Sequence, residues 1–232
     1  MLIKFTKAHG LGNDFVIFES EDISLIEKNA SFIADRKYGI GCDQVINLYD
    51  RKVKFWNSDG SYAKFCGNGC RCIIKYLGLP ESKIWTDSGE VQGILDGDLV
   101  EIRYQPKVEI VPASESYSID IGNKHIVIFG NEKVKNWYEH LVKYDTKIYN
   151  LMHLSKSENE SWFMDIYECG VGPTNACGSG ALAASIAIWD KEKHLNNIVI
   201  AMKGGELEMS KSDFFSQKGP ATVVFTGEIE LN

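Results

Sequence analysis

Two short turns in this chain set a thiol among glycines: Cys66-Gly67-Asn68-Gly69 and Cys177-Gly178-Ser179-Gly180. Each precedes a helix-forming run, so each thiol is expected at a helix N-terminus. There the unpaired backbone N–H groups and the positive end of the helix dipole favour a thiolate. The glycines, lacking Cβ, let the main chain approach a ligand and leave its N–H groups open as a carboxylate cradle. One motif therefore offers a proton-transfer group beside an anion site, and two copies offer two of each. Removing the α-proton of an amino acid and returning one to the opposite face needs that set: a base on one side and an acid on the other, both with pKa values near working pH. An ordinary Cys titrates at about 8.5 and is easily drawn lower. The helix ends would hold the α-carboxylate as charge grows into it, more strongly in a dry, closed site. No cofactor is required by this logic.

Other chemistries fit the same residues less well. Cys66-x-x-x-Cys70-x-Cys72 lacks the second, well-spaced ligand pair of a structural zinc site, so no metal is expected. A covalent Cys nucleophile with His9, His125 or His153 as base leaves the second Cys turn unexplained. Pyridoxal phosphate would need a Schiff-base Lys in a phosphate-binding context, and none is recognisable. Cys42, Cys70 and Cys72 read as core residues.

The chain repeats itself. The displacement that lays Cys66-Gly67-Asn68-Gly69 on Cys177-Gly178-Ser179-Gly180 also lays Trp56-Asn57 on Tyr167-Glu168. Nearly the same displacement lays Gly12-Asn13 on Gly122-Asn123 and Val16-Ile17-Phe18 on Ile126-Val127-Ile128. The expectation is two related halves, 1–110 and 111–232, each with one Cys turn and joined by an extended crossover over Gln105–Ser116.

Strand-like runs are Leu2–Thr6, Phe15–Phe18, Gln44–Leu48, Val53–Trp56 and Ile84–Thr86, then Ile119–Ile121, Ile126–Phe129, Trp162–Tyr167, Ile198–Met202 and Thr222–Thr226. Helices are expected over Leu25–Asp35, Arg71–Leu77, Glu132–Lys143 and Ala181–Lys191. The class is α+β, with two mixed α/β lobes around a cleft.

Composition excludes more than it identifies. A net charge of -7 argues against a nucleic-acid partner, which needs clustered Lys and Arg. No stretch reaches the roughly 18 apolar residues of a membrane span, and the N-terminus lacks a leader pattern. The six cysteines read as reduced thiols in a cytoplasmic protein, with a small amino acid as its partner and a homodimer left open.

The ordered motifs resemble the diaminopimelate epimerase family. They are His9-Gly10-Leu11-Gly12-Asn13-Asp14-Phe15, Asp35-Arg36, Gly39-Ile40-Gly41-x-Asp43-Gln44 and Asn57-x-Asp59-Gly60-Ser61. Cys66-Gly67-Asn68-Gly69-x-Arg71-Cys72, Gly122-Asn123-x-His125, Asn150, and Glu168-x-Gly170-Val171-Gly172-x-Thr174-x-Ala176-Cys177-Gly178-Ser179-Gly180-Ala181 follow. The resemblance implies two pseudo-symmetric lobes, each a barrel-like sheet around a central helix, with the active site in the cleft between them. It implies that Cys66 and Cys177 exchange base and acid roles between substrate enantiomers. It further implies that Asn13, Gln44, Asn57, Asn123 and Asn150 hydrogen-bond the substrate, that Glu168 meets its ammonium side, and that the backbone of Gly67-Asn68 and Gly178-Ser179 holds the reacting carboxylate. His125 would help set a thiol protonation state.

The departures bear on the substrate. The residue after Glu168 is Cys169, where the family carries an Arg that pairs with the distal carboxylate of diaminopimelate. Only Arg presents that planar donor fork. Lys124 and Pro173 also replace a usual Pro and Glu. Diaminopimelate epimerisation is the nearest named activity; racemisation of a single-headed amino acid such as histidine is the alternative. A non-catalytic amino-acid-binding relative is disfavoured because both cysteines are retained.

Overall fold

A computed structural model describes residues 1–156 and 161–231; residues 157–160 and Asn232, which fall in the expected second half, lie outside it. The chain forms two compact units, Met1–Tyr104 with Lys218–Asn232, and Gln105–Gln217. The division differs from the expected 1–110 and 111–232. The last stretch returns to the first unit because its strand pairs antiparallel with the opening one, Leu2 opposite Glu230 through His9 opposite Thr222.

The first unit runs β1 (Leu2–Gly10), β2 (Asn13–Glu19), α1 (Ile23–Ala34), β3 (Gln44–Tyr49), β4 (Lys52–Asn57), β5 (Tyr62–Ala63), α2 (Gly67–Leu77), β6 (Glu81–Thr86), β7 (Gly89–Asp96) and β8 (Leu99–Tyr104). The second runs β9 (Glu109–Pro112), β10 (Ser116–Asp120), β11 (Lys124–Gly130), α3 (Tyr138–Lys143), β12 (Asn150–Lys156), β13 (Trp162–Glu168), β14 (Gly172–Pro173), α4 (Gly178–Lys191), β15 (Asn197–Met202) and β16 (Gly205–Lys211). Then β17 (Phe215–Pro220) carries the chain back, and β18 (Thr222–Glu230) closes the first unit against β1.

Within the first unit the strands follow the row β18, β1, β2, β3, β4, β6, β7, β8. Helix α2 touches β18, β1 and β2 at one end of that row and β7 and β8 at the other, so the sheet curls around it. A helix walled in this way is buried on nearly every side, and any polar side chain on it needs a hydrogen-bond partner. Every residue of α2 from Gly67 to Ile74 is buried. Helix α1 covers the other face, with Ile26, Ala30 and Ile33 packing against Val16, Phe18, Val45 and Trp56, and with Cys42 in the same cluster. The second unit repeats the plan: α4 touches β10, β11, β12, β13, β15 and β16 and is buried at Gly178 and from Gly180 to Trp189. The expected α+β class with a helix-centred sheet in each half is thus the observed one.

Three of the expected helices are close to their observed bounds, although α2 and α4 begin earlier, at the glycines. The fourth is not. Of Glu132–Lys143 only Tyr138–Lys143 is helical, because Asn136 Oδ1 accepts from the Tyr138 N–H and Asp165 Oδ2 from the Val134 N–H. Side-chain turns of this kind compete with the helix ladder.

The contact between α2 and β7 tolerates no extra atom. A Cβ at Gly93 would lie 2.3 Å from Ile74 Cδ1 and 2.4 Å from Ile74 Cγ1. Replacing Gly93 by Ala is therefore expected to cost about 1–3 kcal/mol by overpacking. Urea unfolding of G93A checks this, and an unchanged midpoint would contradict the close docking of α2.

Candidate active site

Cys66 and Cys177 are the N-cap residues of α2 and α4. Their backbones match closely, at φ −145°, ψ 113° and φ −137°, ψ 111°. In each, the sulfur accepts the N–H of the glycine three residues on: Gly69 N to Cys66 Sγ at 3.4 Å, and Gly180 N to Cys177 Sγ at 3.3 Å. The Cys carbonyl takes the first helical bond in both cases, from Cys70 N at 2.8 Å and Ala181 N at 2.9 Å. Glycine is required at that third position. A Cβ on Gly69 would stand 2.7 Å from the Phe55 ring, and one on Gly180 2.4 Å from Met152 Sδ and 3.2 Å from the Cys177 sulfur.

In the first unit, the hairpin between β1 and β2 turns through Leu11 (φ 58°) and Gly12 (φ 84°). Two successive residues at positive φ are the type I′ geometry that joins antiparallel strands in two residues. This delivers Asn13 opposite Gly10. Asn13 Oδ1 accepts from Asn68 Nδ2 at 3.2 Å, and Asn68 Oδ1 from Arg71 Nη2 at 2.9 Å. Gln44 and Asn57 face each other across β3 and β4 and are joined by Gln44 Nε2 to Asn57 Oδ1 at 2.7 Å. Asn57 Nδ2 in turn donates to Ser61 Oγ at 3.0 Å. Gly67 and Asn68 are the first two residues of α2.

In the second unit, β11 pairs parallel with β12, His125 beside Asn150, as β2 pairs with β3, Phe15 beside Gln44. Asn123 Nδ2 donates to Ser179 Oγ at 3.0 Å. Ser179 Oγ also lies 3.2 Å from His125 Nε2 and 3.5 Å from Cys177 Sγ. Asn150 donates to the Lys124 carbonyl at 3.2 Å and accepts the Cys169 N–H at 3.0 Å. Glu168 Oε1 accepts from Thr174 Oγ1 at 2.5 Å. Gly178 opens α4, and its carbonyl is held by buried Gln217, Nε2 donating at 2.8 Å.

Burial fixes the electrostatics. His125 is fully enclosed, and desolvation brings its pKa down to about 4, so it is neutral near pH 7. Its Nδ1 lies 3.0 Å from the Asn123 carbonyl, which can only accept. Nδ1 therefore carries the proton, Nε2 takes the Ser179 hydroxyl proton, and Ser179 Oγ is left to accept from a Cys177 thiol. Burial likewise raises the thiols of Cys42 (to about 12), Cys70, Cys72 and, less enclosed, Cys169; these are inert thiols. Burial also lowers the pKa of Arg71. At Asp14 burial raises the pKa, but hydrogen bonds from Arg36 and Lys7 outweigh it and hold it at about 2. Among the described residues no group of three or more His, Cys, Asp or Glu is arranged to hold a metal ion, and no helix is long and apolar enough to cross a membrane.

A family model described as diaminopimelate epimerase matches residues 5–105. A diaminopimelate epimerase of Prochlorococcus marinus (strain NATL2A) is 30% identical over 98% of this chain and 99% of its own. The chain belongs to the diaminopimelate epimerase family. It is an isomerase of the amino-acid racemase and epimerase kind. A second family member, from Nitrosospira multiformis, is 31% identical over 100% of this chain and 99% of its own. The fold is shared more widely. A hydroxyproline epimerase from Agrobacterium vitis superposes with a TM-score of 0.74 at 10% identity, covering 98% of this chain and 92% of that one. A phenazine biosynthesis protein of the PhzF family from Enterococcus faecalis gives 0.74 at 12%, covering 100% of both.

The structure adds partners beyond the candidate site residues, all but one of them within the motifs. Arg71 and Asp43 orient Asn68 and Asn13, Thr174 holds Glu168, and Gln217 pins the start of α4. Gln217 alone had no signal, since nothing local marks it.

The state of His125 is directly measurable. Between about pH 6.5 and about 4 the unfolded imidazole binds a proton that the folded one refuses. Its contribution to stability is therefore complete above about 6.5 and lost as the pH falls through about 4. Nitrogen NMR is expected to show the Nδ1–H tautomer with a midpoint near 4; a midpoint near 6.5 would contradict the sealed site.

Proposed function

We propose that the chain inverts the α-carbon of an amino acid by a two-thiol, cofactor-independent mechanism, with Cys66 and Cys177 as base and acid. The observation that carries this reading is the matched capping of two buried helices by cysteine sulfur, with the same glycine N–H bond in each half. One thiolate removes the α-proton while the other thiol delivers a proton to the opposite face, and the roles reverse for the other enantiomer. The N–H groups of Gly67-Asn68 and Gly178-Ser179 are suited to hold the carboxylate as negative charge moves onto it. Asn13, Gln44, Asn57, Asn123 and Asn150 would orient the substrate, and Glu168 would meet its ammonium group. His125 acts behind them, by orienting Ser179 so that its oxygen can accept from the Cys177 thiol and favour the protonated form. Six free cysteines suit a reducing, cytoplasmic setting in which the thiol pair stays active.

By the names of its relatives, diaminopimelate is the first substrate to test, with a place in lysine biosynthesis. One observation favours a second reading. Cys169 is a half-buried thiol whose backbone N–H is tied to Asn150, and burial keeps it neutral. It offers no charge to a distal carboxylate, whereas a charged hydrogen bond there is worth about 1.5–3 kcal/mol. A single-headed amino acid such as histidine makes no such demand.

Deuterium incorporation at Cα in heavy water separates these readings when measured across an amino-acid panel for the wild type, C66A and C177A. Exchange of meso-diaminopimelate alone supports the first substrate, and exchange of histidine or another single-headed amino acid alone supports the second. Inversion at Cα, followed by the chirality of the product, is expected to fall at least about 10²–10⁴-fold in either Ala variant, the contribution of one general acid or base. Near wild-type inversion in either would overturn the two-thiol mechanism.

A further inference from the structure

Arg71 sits fully buried in α2, one turn beyond the Cys66 cap. The matching position of α4, by the displacement that aligns Cys66 with Cys177, is Leu182, also fully buried. This place in a central helix is therefore filled by a plain hydrocarbon in the other half, and packing alone does not call for a cation. Enclosing a guanidinium is unfavourable unless its hydrogen bonds achieve something.

Those bonds form a directional chain. Arg71 Nη2 donates to Asn68 Oδ1 at 2.9 Å, and Asn68 Nδ2 to Asn13 Oδ1 at 3.2 Å. Asn13 Nδ2 then donates to Asp43 Oδ2 at 2.9 Å, and Asp43 Oδ1 accepts from Arg36 at 2.8 Å. A side-chain amide can be turned either way round, but a guanidinium only donates and a carboxylate only accepts. With Arg71 at one end and Asp43 at the other, both amides between them have one permitted sense. There is little slack to escape it: a Cβ on Gly10 would lie 3.2 Å from Arg71 Nη2 and 3.5 Å from the Asn68 carbonyl.

We infer that Arg71 is a positioning residue that locks the amides of Asn68 and Asn13 in one sense, the NH₂ of each directed along the chain toward Asp43. Each amide then spends one N–H within the chain and has a second to offer, so the first half presents donors to an anionic carboxylate. Turned the other way, Asn68 would present its oxygen, which repels that group. The step from amide orientation to substrate binding rests on the proposed function; the orientation itself does not.

Side-chain amide NMR of the ligand-free protein tests the lock, in the wild type, Arg71→Lys, Arg71→Leu and Arg71→Met. In R71L, which copies the other half, the Asn68 and Asn13 NH₂ protons are expected to exchange with solvent about 10-fold faster and to lose their mutual contact. R71K, still a donor-only cation, should restore much of the protection. Arg71→Met, which keeps a flexible stem but no donor, carries the same expectation and decides the matter should R71L not fold. Unchanged amide exchange at both residues in a folded R71L or R71M would overturn the inference. With meso-diaminopimelate or histidine, whichever the wild type exchanges, R71L should raise KM more than it lowers kcat, and R71K should recover part of the difference. A uniform fall in kcat with KM unchanged would count against the positioning role. Absence of exchange with any amino acid in the wild type would refute the proposed function and leave the amide spectra to decide on Arg71.

Discussion

A buried helix must find partners for the N–H groups of its first turn, and in this protein a cysteine sulfur supplies one of them in each half. The bonds from Gly69 to Cys66 and from Gly180 to Cys177 anchor the sulfur against the helix start. Much else follows from that placement. The helix is walled by sheet, so most of its length is buried. The third residue must be glycine, because Phe55 in one half and Met152 in the other occupy the space a Cβ would need. An N–H aimed at sulfur also favours the thiolate over the thiol. In the proposed mechanism, structural capping and acid–base chemistry are therefore served by the same contact.

The two halves share a frame and differ in what surrounds it. A strand, a covering helix and a parallel strand precede each Cys turn, so Phe15 beside Gln44 corresponds to His125 beside Asn150. Around the first thiol the second helical residue is Asn68, linked to a buried guanidinium and on to a carboxylate. Around the second it is Ser179, linked to a buried neutral imidazole. A guanidinium is always a donor, whereas a neutral imidazole with Nδ1–H offers an acceptor at Nε2. Each unit thus repeats one local plan, and the residues that surround its Cys turn differ.

The Cys turns and the two central helices were legible from the chain, because Gly-rich capping motifs and helical runs rich in apolar residues are local signals. Their true starts were less so: glycine is a poor helix former, yet α2 and α4 begin at Gly67 and Gly178 once the Cys cap is in place. The strands β7, β8, β16 and β17 escaped notice although Asp96-Gly97 marks a hairpin, since their alternation is diluted by charges and glycines. The return of β18 to the first unit was invisible, being a pairing between opposite ends of the chain. Among the candidate site residues, Asn13, Asn68, Asn123 and His125 are marked by their motifs. The hydrogen-bond senses that distinguish them depend on tertiary partners such as Arg71 and the Asn123 carbonyl, which spacing does not reveal.

The proposed chemistry asks for sulfur from both halves to reach a common carbon. Thiols that close can be joined by an oxidant and parted by a reductant, through thiol–disulfide exchange. Peptide mass spectrometry after mild oxidation is expected to find Cys66 linked to Cys177, with activity lost on oxidation and regained with dithiothreitol. Oxidation that yields no such linked peptide, or a loss of activity that dithiothreitol does not reverse, would contradict the two-thiol mechanism.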